Sequence, residues 1–222
     1  MRLKRILLSW SGGKDSAMAL HEMQKTEGYE IVALLTTVTD GYQRVTMHGV
    51  REELLERQAE SLGLRLHKVL IPQNPTNEEY GSIMREVLTK YKNENVHSVA
   101  FGDVFLEDLR RYREDNLAKI GMKGIFPIWK RNTGELVRTF IDVGFRAVVT
   151  SVDSKVLDAS FVGKEISHNF IRRLPPHVDP CGEKGELHSF VFDGPHFREE
   201  VTFTIGEIVL RDSFYFCDLV PA

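Results

Sequence analysis

A glycine-rich segment between an apolar run and an amphipathic run constrains this chain more than any other feature. Ile6–Leu8 predict a buried strand, and Ser11-Gly12-Gly13-Lys14-Asp15-Ser16 follow where a helix should begin. The adjacent glycines let the backbone turn tightly, so that its N–H groups and those of the new helix converge on one point. Lys14 adds a positive charge, and Asp15 and Ser16 can cap the helix or orient a metal-bound phosphate. The sequence therefore predicts a phosphate-binding turn.

Two common phosphate loops do not fit this segment. The Walker loop needs glycine where the chain has Leu8 and Ser or Thr where it has Asp15, and the dinucleotide fingerprint needs a third glycine where it has Ser16. The pattern Ser-Gly-Gly-x-Asp-Ser instead resembles the loop of the PP-loop ATP pyrophosphatases. The resemblance implies that this loop holds the β- and γ-phosphates of ATP and that the bond between the α- and β-phosphates breaks.

Length and composition exclude several classes of protein. A chain of 222 residues can hold one α/β domain with an appendage, or two small domains. The net charge of −3 gives no general attraction to nucleic acid, so we expect no nucleic-acid partner. Cys181 and Cys217 are too few and too far apart for a disulfide framework, and no apolar run is long enough to span a bilayer. We therefore expect a cytoplasmic protein without membrane contact.

The alternation of apolar and amphipathic runs predicts a parallel α/β sheet with helices on both faces. The predicted strands are 3–9, 30–38, 65–71 and 96–101, and the predicted helices are 14–27, 50–62, 77–93 and 106–120. After residue 121 the pattern changes to a short helix over 134–143, a strand over 147–152 and antiparallel strands from 187 onward. We therefore divide the chain into an ATP-binding domain, 1–120, and a smaller α+β domain, 121–222.

Several polar residues follow the predicted strands, at the edge where such sheets bind ligands. Thr36 and Thr37 fit contact with adenine and an ordinary strand end equally well, and His48 lies at the same rim. Gly102 and Asp103 end the fourth strand. A carboxylate beside a triphosphate requires an intervening cation, so Asp103 is our candidate for Mg²⁺, with helix capping as the alternative.

The helix over 106–120 carries charges of both signs at helical spacing. Arg110 and Glu114 are spaced for an ordinary ion pair on its surface. Arg111 and Arg113 could reach phosphate or an acidic acceptor, but a solvated helix face explains them more simply.

A second dense group of polar residues lies in the segment 179–189. Two glycines, Glu183, Glu186 and His188 exceed what a turn requires, so we expect this loop to bind a ligand or acceptor. His177, Cys181 and His188 match no common zinc spacing. For Cys181, in Asp-Pro-Cys-Gly, a tight turn is preferred to a nucleophile.

Together these motifs resemble the diphthine–ammonia ligase family, in its bacterial variant, almost from end to end. The matching residues are Ser11–Ser16, His48–Val50, Gly102-Asp103, Pro127-x-Trp129, Gly182-Glu183-x-Gly185-Glu186 and Asp193-x-Pro195-x-Phe197. The resemblance implies a Rossmann-like HUP fold with acceptor chemistry in the cleft between two domains. Leu187-His188-Ser189 departs from the Tyr-Glu-Thr of archaeal and eukaryotic ligases and resembles the bacterial variant. Bacteria lack the elongation factor that carries diphthamide, so the acceptor is expected to differ from diphthine.

The resemblance also implies a reaction and its participants. ATP with Mg²⁺ adenylates an unidentified carboxylate acceptor, and ammonia converts the adenylate to an amide. The implied ATP-binding residues are Ser11, Gly12, Gly13, Lys14, Asp15, Ser16, Thr36, Thr37, His48 and Gly102, and the implied catalytic residues are Lys14, Asp103, Glu183, Glu186 and His188. The sequence leaves open whether the protein forms a homodimer. The alternatives are a PP-loop tRNA-modifying enzyme, disfavoured by the lack of Cys-x-x-Cys, and an ATP sensor without turnover.

Overall fold

Strands and helices alternate in the first part of the chain, as the hydrophobic pattern predicts. The computed structural model describes residues 3–41 and 49–222. Its first elements are β1 (Lys4–Ser9), α1 (Lys14–Lys25), β2 (Tyr29–Thr39), α2 (Glu52–Leu62), β3 (Leu66–Ile71), α3 (Asn77–Asn93), β4 (Ser98–Ala100), α4 (Glu107–Lys119) and β5 (Lys123–Ile125). Five strands pair in parallel in the order β3-β2-β1-β4-β5. The strand order reverses beside β1, which is where a sheet of this kind binds ligands.

The fifth strand of this sheet is absent from the sequence-based prediction. Lys123, Gly124 and Ile125 pair in parallel with β4, so the first sheet continues beyond residue 121. Three residues with a central glycine are too short to show a strand pattern. The division of the chain into 1–120 and 121–222 stays a prediction, and β5 belongs with the sheet of the first part.

Side chains of β1 alternate between two separate cores. Ile6 and Leu8 pack in one cluster with buried residues of α1 and α2, whereas Leu7 packs in the other with buried residues of α3 and α4. Strand geometry requires this alternation, because successive side chains point to opposite faces. The sheet therefore has helices on both faces, which confirms the predicted α/β class.

A smaller antiparallel sheet follows. Its elements are α5 (Thr133–Asp142), β6 (Arg146–Asp153), a 3-10 turn (Ala159–Phe161), α6 (His168–Arg173), β7 (Leu187–Asp193), β8 (Phe203–Arg211) and β9 (Phe214–Pro221). The strand order is β7-β6-β9-β8. The predicted helix over 134–143, the strand over 147–152 and the antiparallel tail are confirmed, while the short helix α6 was not predicted.

The second sheet shares a core with one face of the first. Phe190 of β7 and Leu20 of α1 belong to one buried cluster that also includes Phe140 of α5. A hydrogen bond of 2.8 Å joins His21 of α1 to His196, which lies after β7. Strand β7 is also held beside the first turn of α1, where the Lys14 backbone N–H donates to Ser189 Oγ at 3.3 Å. None of the helices in 3–41 and 49–222 is long and apolar enough to cross a membrane.

Candidate active site

The loop between β1 and α1 leaves backbone donors exposed to a ligand. Gly13 is the N-cap of α1 and provides no side-chain cap. Within the described residues, the backbone N–H groups of Asp15 and Ser16 make no hydrogen bond, and the Ser16 hydroxyl donates to the Gly13 carbonyl at 2.8 Å. Uncapped N–H groups at a helix N-terminus bind anions. The turn between β1 and α1 therefore has the backbone geometry expected of a phosphate-binding turn, and phosphate binding itself stays a prediction.

Contacts from two other elements fix the backbone of this loop. The Gly12 carbonyl accepts hydrogen bonds from the Val191 backbone N–H at 2.8 Å and from Gln58 Nε2 at 3.0 Å. Gln58 in turn accepts one from Trp10 Nε1 at 2.9 Å. A Cβ at Gly12, where φ is +78°, would lie 2.6 Å from Leu55 Cδ2, so this position requires glycine. Sequence reasoning missed Gln58, because a polar residue inside an amphipathic helix gives no local sign of such a role.

Gly102 holds the end of β4 against the first turn of α1. A Cβ there would lie 2.7 Å from the backbone carbon and oxygen of Asp15 and 2.9 Å from the Ser16 nitrogen. All three are backbone atoms, which cannot move aside as the end of a side chain can. Gly102 therefore has a steric role in shaping the site as well as lining it.

Lys14 is a buried cation inside the loop. Its side chain is 4% exposed, and Nζ lies 2.9 Å and 2.7 Å from the two carboxylate oxygens of Asp15. Burial lowers the pKa of Lys14, but the charge of Asp15 and the hydrogen bond it accepts from Nζ outweigh burial, so the pKa lies above its usual value. Lys14 thus stays charged at every physiological pH and can neutralise a phosphate.

The loop before β7 forms the opposite wall of the site, and Glu186 holds it in shape. Its carboxylate accepts backbone hydrogen bonds from Asp179 at 3.1 Å and from Lys184 at 2.9 Å, and the residue is 5% exposed. Both oxygens are therefore occupied within the loop. The sequence placed Glu186 among the catalytic residues, and that role stays a prediction. In the structure, its two oxygens hold the loop through backbone hydrogen bonds.

Glu183 faces the phosphate loop across a cavity of about 310 Å³, which is also lined by Lys14, Asp15, Asp103 and His188. Burial, followed by the negative charge of Asp15, raises the pKa of Glu183 to about 7. A carboxyl group with this pKa can both accept and release a proton near neutral pH.

Asp103 lies in the same cavity and pairs with Arg113. Arg113 Nε is 2.8 Å from Asp103 Oδ2 but is poorly aligned for a hydrogen bond, and Nη2 donates to Oδ1 at 3.3 Å. Burial, which has the largest effect, raises the pKa of Asp103, and Asp15 raises it further. Arg113 lowers it, but the pKa of Asp103 stays above its usual value. Two carboxylates this close to a phosphate site suit Mg²⁺, which binds through one or two carboxylates and substrate phosphates. Among the described residues, no cluster of three or more His, Cys, Asp or Glu could hold a metal by itself.

A second cavity of about 340 Å³ adjoins the first and contains both predicted threonines. Thr36 is 2% exposed, and its hydroxyl is buried without a hydrogen-bond partner in the described part of the chain. A buried hydroxyl without a partner is costly, which suggests that a ligand satisfies it. Thr37 and His188 also line this cavity. Burial, followed by Lys14, lowers the pKa of His188, which therefore favours the neutral form.

The remaining candidates have different outcomes. His48 lies outside the described residues. Burial raises the pKa of Cys181 to about 12, so its thiol stays protonated, and its backbone N–H donates a hydrogen bond to Asp179 as a tight turn requires.

The charged residues of α4 have two different outcomes. Arg110 and Glu114 form the expected ion pair at 3.0 Å. Arg111 extends into solvent, but Arg113 lines both cavities, so the solvated reading of the helix face does not apply to it.

Fold and site together define a class. The parallel sheet has the strand order β3-β2-β1-β4-β5, and a Ser-Gly-Gly-Lys-Asp-Ser turn lies where this order reverses. These two features define the class of PP-loop α/β nucleotide-binding proteins. The family model for the diphthamide synthase N-terminal domain matches residues 4–124, and that for the C-terminal domain matches residues 132–219. The chain therefore belongs to the diphthamide synthase family, a family of ATP-dependent ligases.

Similar proteins named diphthine–ammonia ligase occur in several eukaryotes. The Schizosaccharomyces pombe protein is 26% identical over 94% of this chain, but this chain spans only 38% of that protein. The Danio rerio protein is 25% identical over 90% of this chain and 87% of its own length. The Homo sapiens protein is 25% identical, with coverage of 94% and 86%. Identity is low throughout, although the similarity to each covers both sheets.

One solved structure is similar over part of the chain. It is the U34-tRNA thiolase of Methanococcus maripaludis with its [4Fe-4S] cluster, with a TM-score of 0.39 and 18% identity. The match covers 64% of this chain and 58% of the thiolase. At this level of similarity it has no bearing on function.

Proposed function

We propose that this protein activates a carboxylate with ATP and converts it to an amide with ammonia, releasing AMP and pyrophosphate. The observation that carries the proposal is the cavity in which Lys14 of the phosphate loop faces Glu183 of the second half. A cation for pyrophosphate and a carboxyl group that titrates near pH 7 are the two groups that such a reaction needs.

The first step is the attack of a carboxylate oxygen on the α-phosphorus of ATP. The bond from that phosphorus to the oxygen bridging to the β-phosphorus breaks, and pyrophosphate leaves. The free N–H groups of Asp15 and Ser16 and the charge of Lys14 stabilise the departing pyrophosphate, and they do so without reorganising. Asp103, with Asp15 beside it, would hold Mg²⁺, which supplies charge neutralisation on the phosphate oxygens.

In the second step, the nitrogen of ammonia attacks the acyl carbon of the adenylate, and AMP leaves as the amide forms. Only neutral ammonia is a nucleophile, and the nitrogen must lose a proton after it adds. We assign that proton to the carboxylate of Glu183, since its pKa matches the working pH. Neutral His188 lines the same cavity and can bind ammonia through a ring nitrogen.

The test follows the α-phosphate and the γ-phosphate of ATP separately. Wild type, Lys14→Ala and Lys25→Ala are incubated with ATP labelled at the α- or γ-phosphate, Mg²⁺, ammonium and a set of carboxylates. Lys25 is an exposed lysine in the last turn of the same helix and provides the matched control. We expect AMP and pyrophosphate from wild type and Lys25→Ala, and their loss in Lys14→Ala.

Other products would identify another function. ADP and phosphate would refute the proposal. Tight ATP binding without cleavage would favour an ATP sensor. Cleavage that depends on tRNA rather than on a small carboxylate would favour a tRNA-modifying enzyme. A cytoplasmic location and association into homodimers remain predictions from the sequence.

A further inference from the structure

A third cavity, of about 340 Å³, lies between α3 and α4 on the face of the first sheet away from the second half. Its wall is mainly apolar and includes Tyr80, Met84, Leu88, Leu109, Tyr112 and Leu117. It shares Phe101 and Arg113 with the cavity of the phosphate loop, and it shares these two, together with Tyr80, Met84 and Leu88, with the cavity of Thr36. The three cavities therefore meet at one point, and the third has no role in the steps described above.

The charged side chains that line this cavity are all positive. Its described lining includes Arg85 and Arg113 but no aspartate or glutamate. Arg113 stands at the junction, over the Phe101 ring at 4.4 Å. Its guanidinium pairs with Asp103, with Nε 2.8 Å from Oδ2 and Nη2 donating to Oδ1 at 3.3 Å, whereas Nη1 makes no hydrogen bond to a described residue. A guanidinium in this state can receive a carboxylate from the cavity side.

We propose that this cavity binds the acceptor, and that the acceptor is a small carboxylic acid with an apolar body. The apolar part lies between α3 and α4, while Arg113 holds the carboxylate at the entrance to the phosphate-loop cavity. Thr36 and the phosphate loop provide for the nucleotide, and the part of the third cavity that neither neighbouring cavity shares is left for the second substrate. That part is lined by Arg85, Leu109, Tyr112 and Leu117. This inference rests on the proposed function for the fate of the carboxylate, but binding itself can be measured separately.

Gly81 allows the cavity to be filled without disturbing the fold. It lies in α3 and lines the cavity, and a Cβ added there meets no atom within 4 Å. Gly81→Leu places a branched side chain in the space, whereas Gly81→Ala adds a single methyl group and leaves most of the cavity open. The two variants share the loss of glycine, so a difference between them reports on the cavity.

Three probes separate the contribution of the apolar body to binding from the contribution of the carboxylate charge. They are 3-phenylpropanoate, its uncharged amide 3-phenylpropanamide, and acetate. Binding is measured by saturation-transfer NMR, ATP affinity by calorimetry, and turnover by release of AMP. We expect 3-phenylpropanoate to bind wild type and Gly81→Ala, and to bind Gly81→Leu about tenfold or more weakly, with ATP affinity unchanged. The amide and acetate should each bind more weakly than 3-phenylpropanoate.

Each contrary result has a distinct meaning. If 3-phenylpropanoate does not bind wild type, or binds Gly81→Leu equally well, the inference is overturned. If Gly81→Leu loses ATP affinity, the cavity belongs to the nucleotide and the inference is again overturned. If the acid binds in the cavity and yet no AMP forms with it or with any other carboxylate, the site for an apolar acid stands and the proposed function fails.

Discussion

Replacing Gly102 with alanine tests whether the end of β4 shapes the phosphate site. The new Cβ would lie 2.7 Å from two backbone atoms of Asp15, about 0.7 Å short of ordinary contact. Relieving this overlap requires a shift of β4 or of the first turn of α1. Overpacking of this kind costs about 1–3 kcal/mol of the free energy of unfolding. In a chain of this size, each kcal/mol lowers the melting temperature by about 2–4 °C.

The same shift would displace the N–H groups of Asp15 and Ser16, which we assign to the phosphates. A misplacement of about 1 Å can cost roughly a hundredfold in rate, so AMP release should fall by about 10- to 100-fold. Urea unfolding measures the loss of stability, release of AMP from labelled ATP measures the loss of rate, and calorimetric titration measures ATP affinity. Gly81→Ala is the control, because its Cβ meets nothing and alanine favours the helix by about 0.5–1 kcal/mol. Wild-type stability and ATP affinity in Gly102→Ala would refute this account of the site.

Three further substitutions test other parts of the site. Thr36→Val removes a buried, unpartnered hydroxyl, so it should raise the free energy of unfolding by about 1 kcal/mol and weaken ATP binding in calorimetry; unchanged ATP affinity would show that the hydroxyl does not contact the nucleotide. Glu186→Gln replaces one of two acceptors by a donor facing an N–H group, and should lower stability by about 1–3 kcal/mol in urea unfolding, whereas a wild-type unfolding curve would exclude its loop-holding role. The pKa of Glu183 is raised from its usual 4.5 to about 7, so ionisation destabilises the folded state: stability relative to Glu183→Gln should be constant below pH 4.5 and decline as the pH rises to about 7. The total decline should be about 1–2 kcal/mol, because partial exposure screens the charge, and parallel stability profiles for the two proteins would contradict it.

Local pattern was sufficient for the predicted strands and helices of the first sheet. Helix α3, for example, begins at a capping box in which Thr76 and Glu79 satisfy each other's backbone N–H groups, and such a signal lies within a few residues. The phosphate loop was recognisable for the same reason. Strand β5 was missed because its three residues gain their structure from pairing with β4, which is a tertiary contact.

The less predictable part of the site depends on contacts between distant residues. Gln58 and Val191 both bond the Gly12 carbonyl, and no local pattern connects them. Glu183 and Glu186 stand three positions apart in one loop, yet one faces the cavity and the other holds the backbone. Residue type and spacing are alike for the two, so only the orientation of each carboxylate separates their roles.

The anchoring of Gly12 limits how this protein can be divided or recombined. Val191 belongs to β7, so the conformation of the phosphate loop depends on a strand far along the chain. A fragment ending after β5 would contain every residue of the nucleotide signature and still lack that anchor. Chimaeras that exchange the second half between relatives must therefore preserve the fit of β7 against Gln58 and Gly12. For the same reason, we expect the sequences of the two halves to change together during evolution.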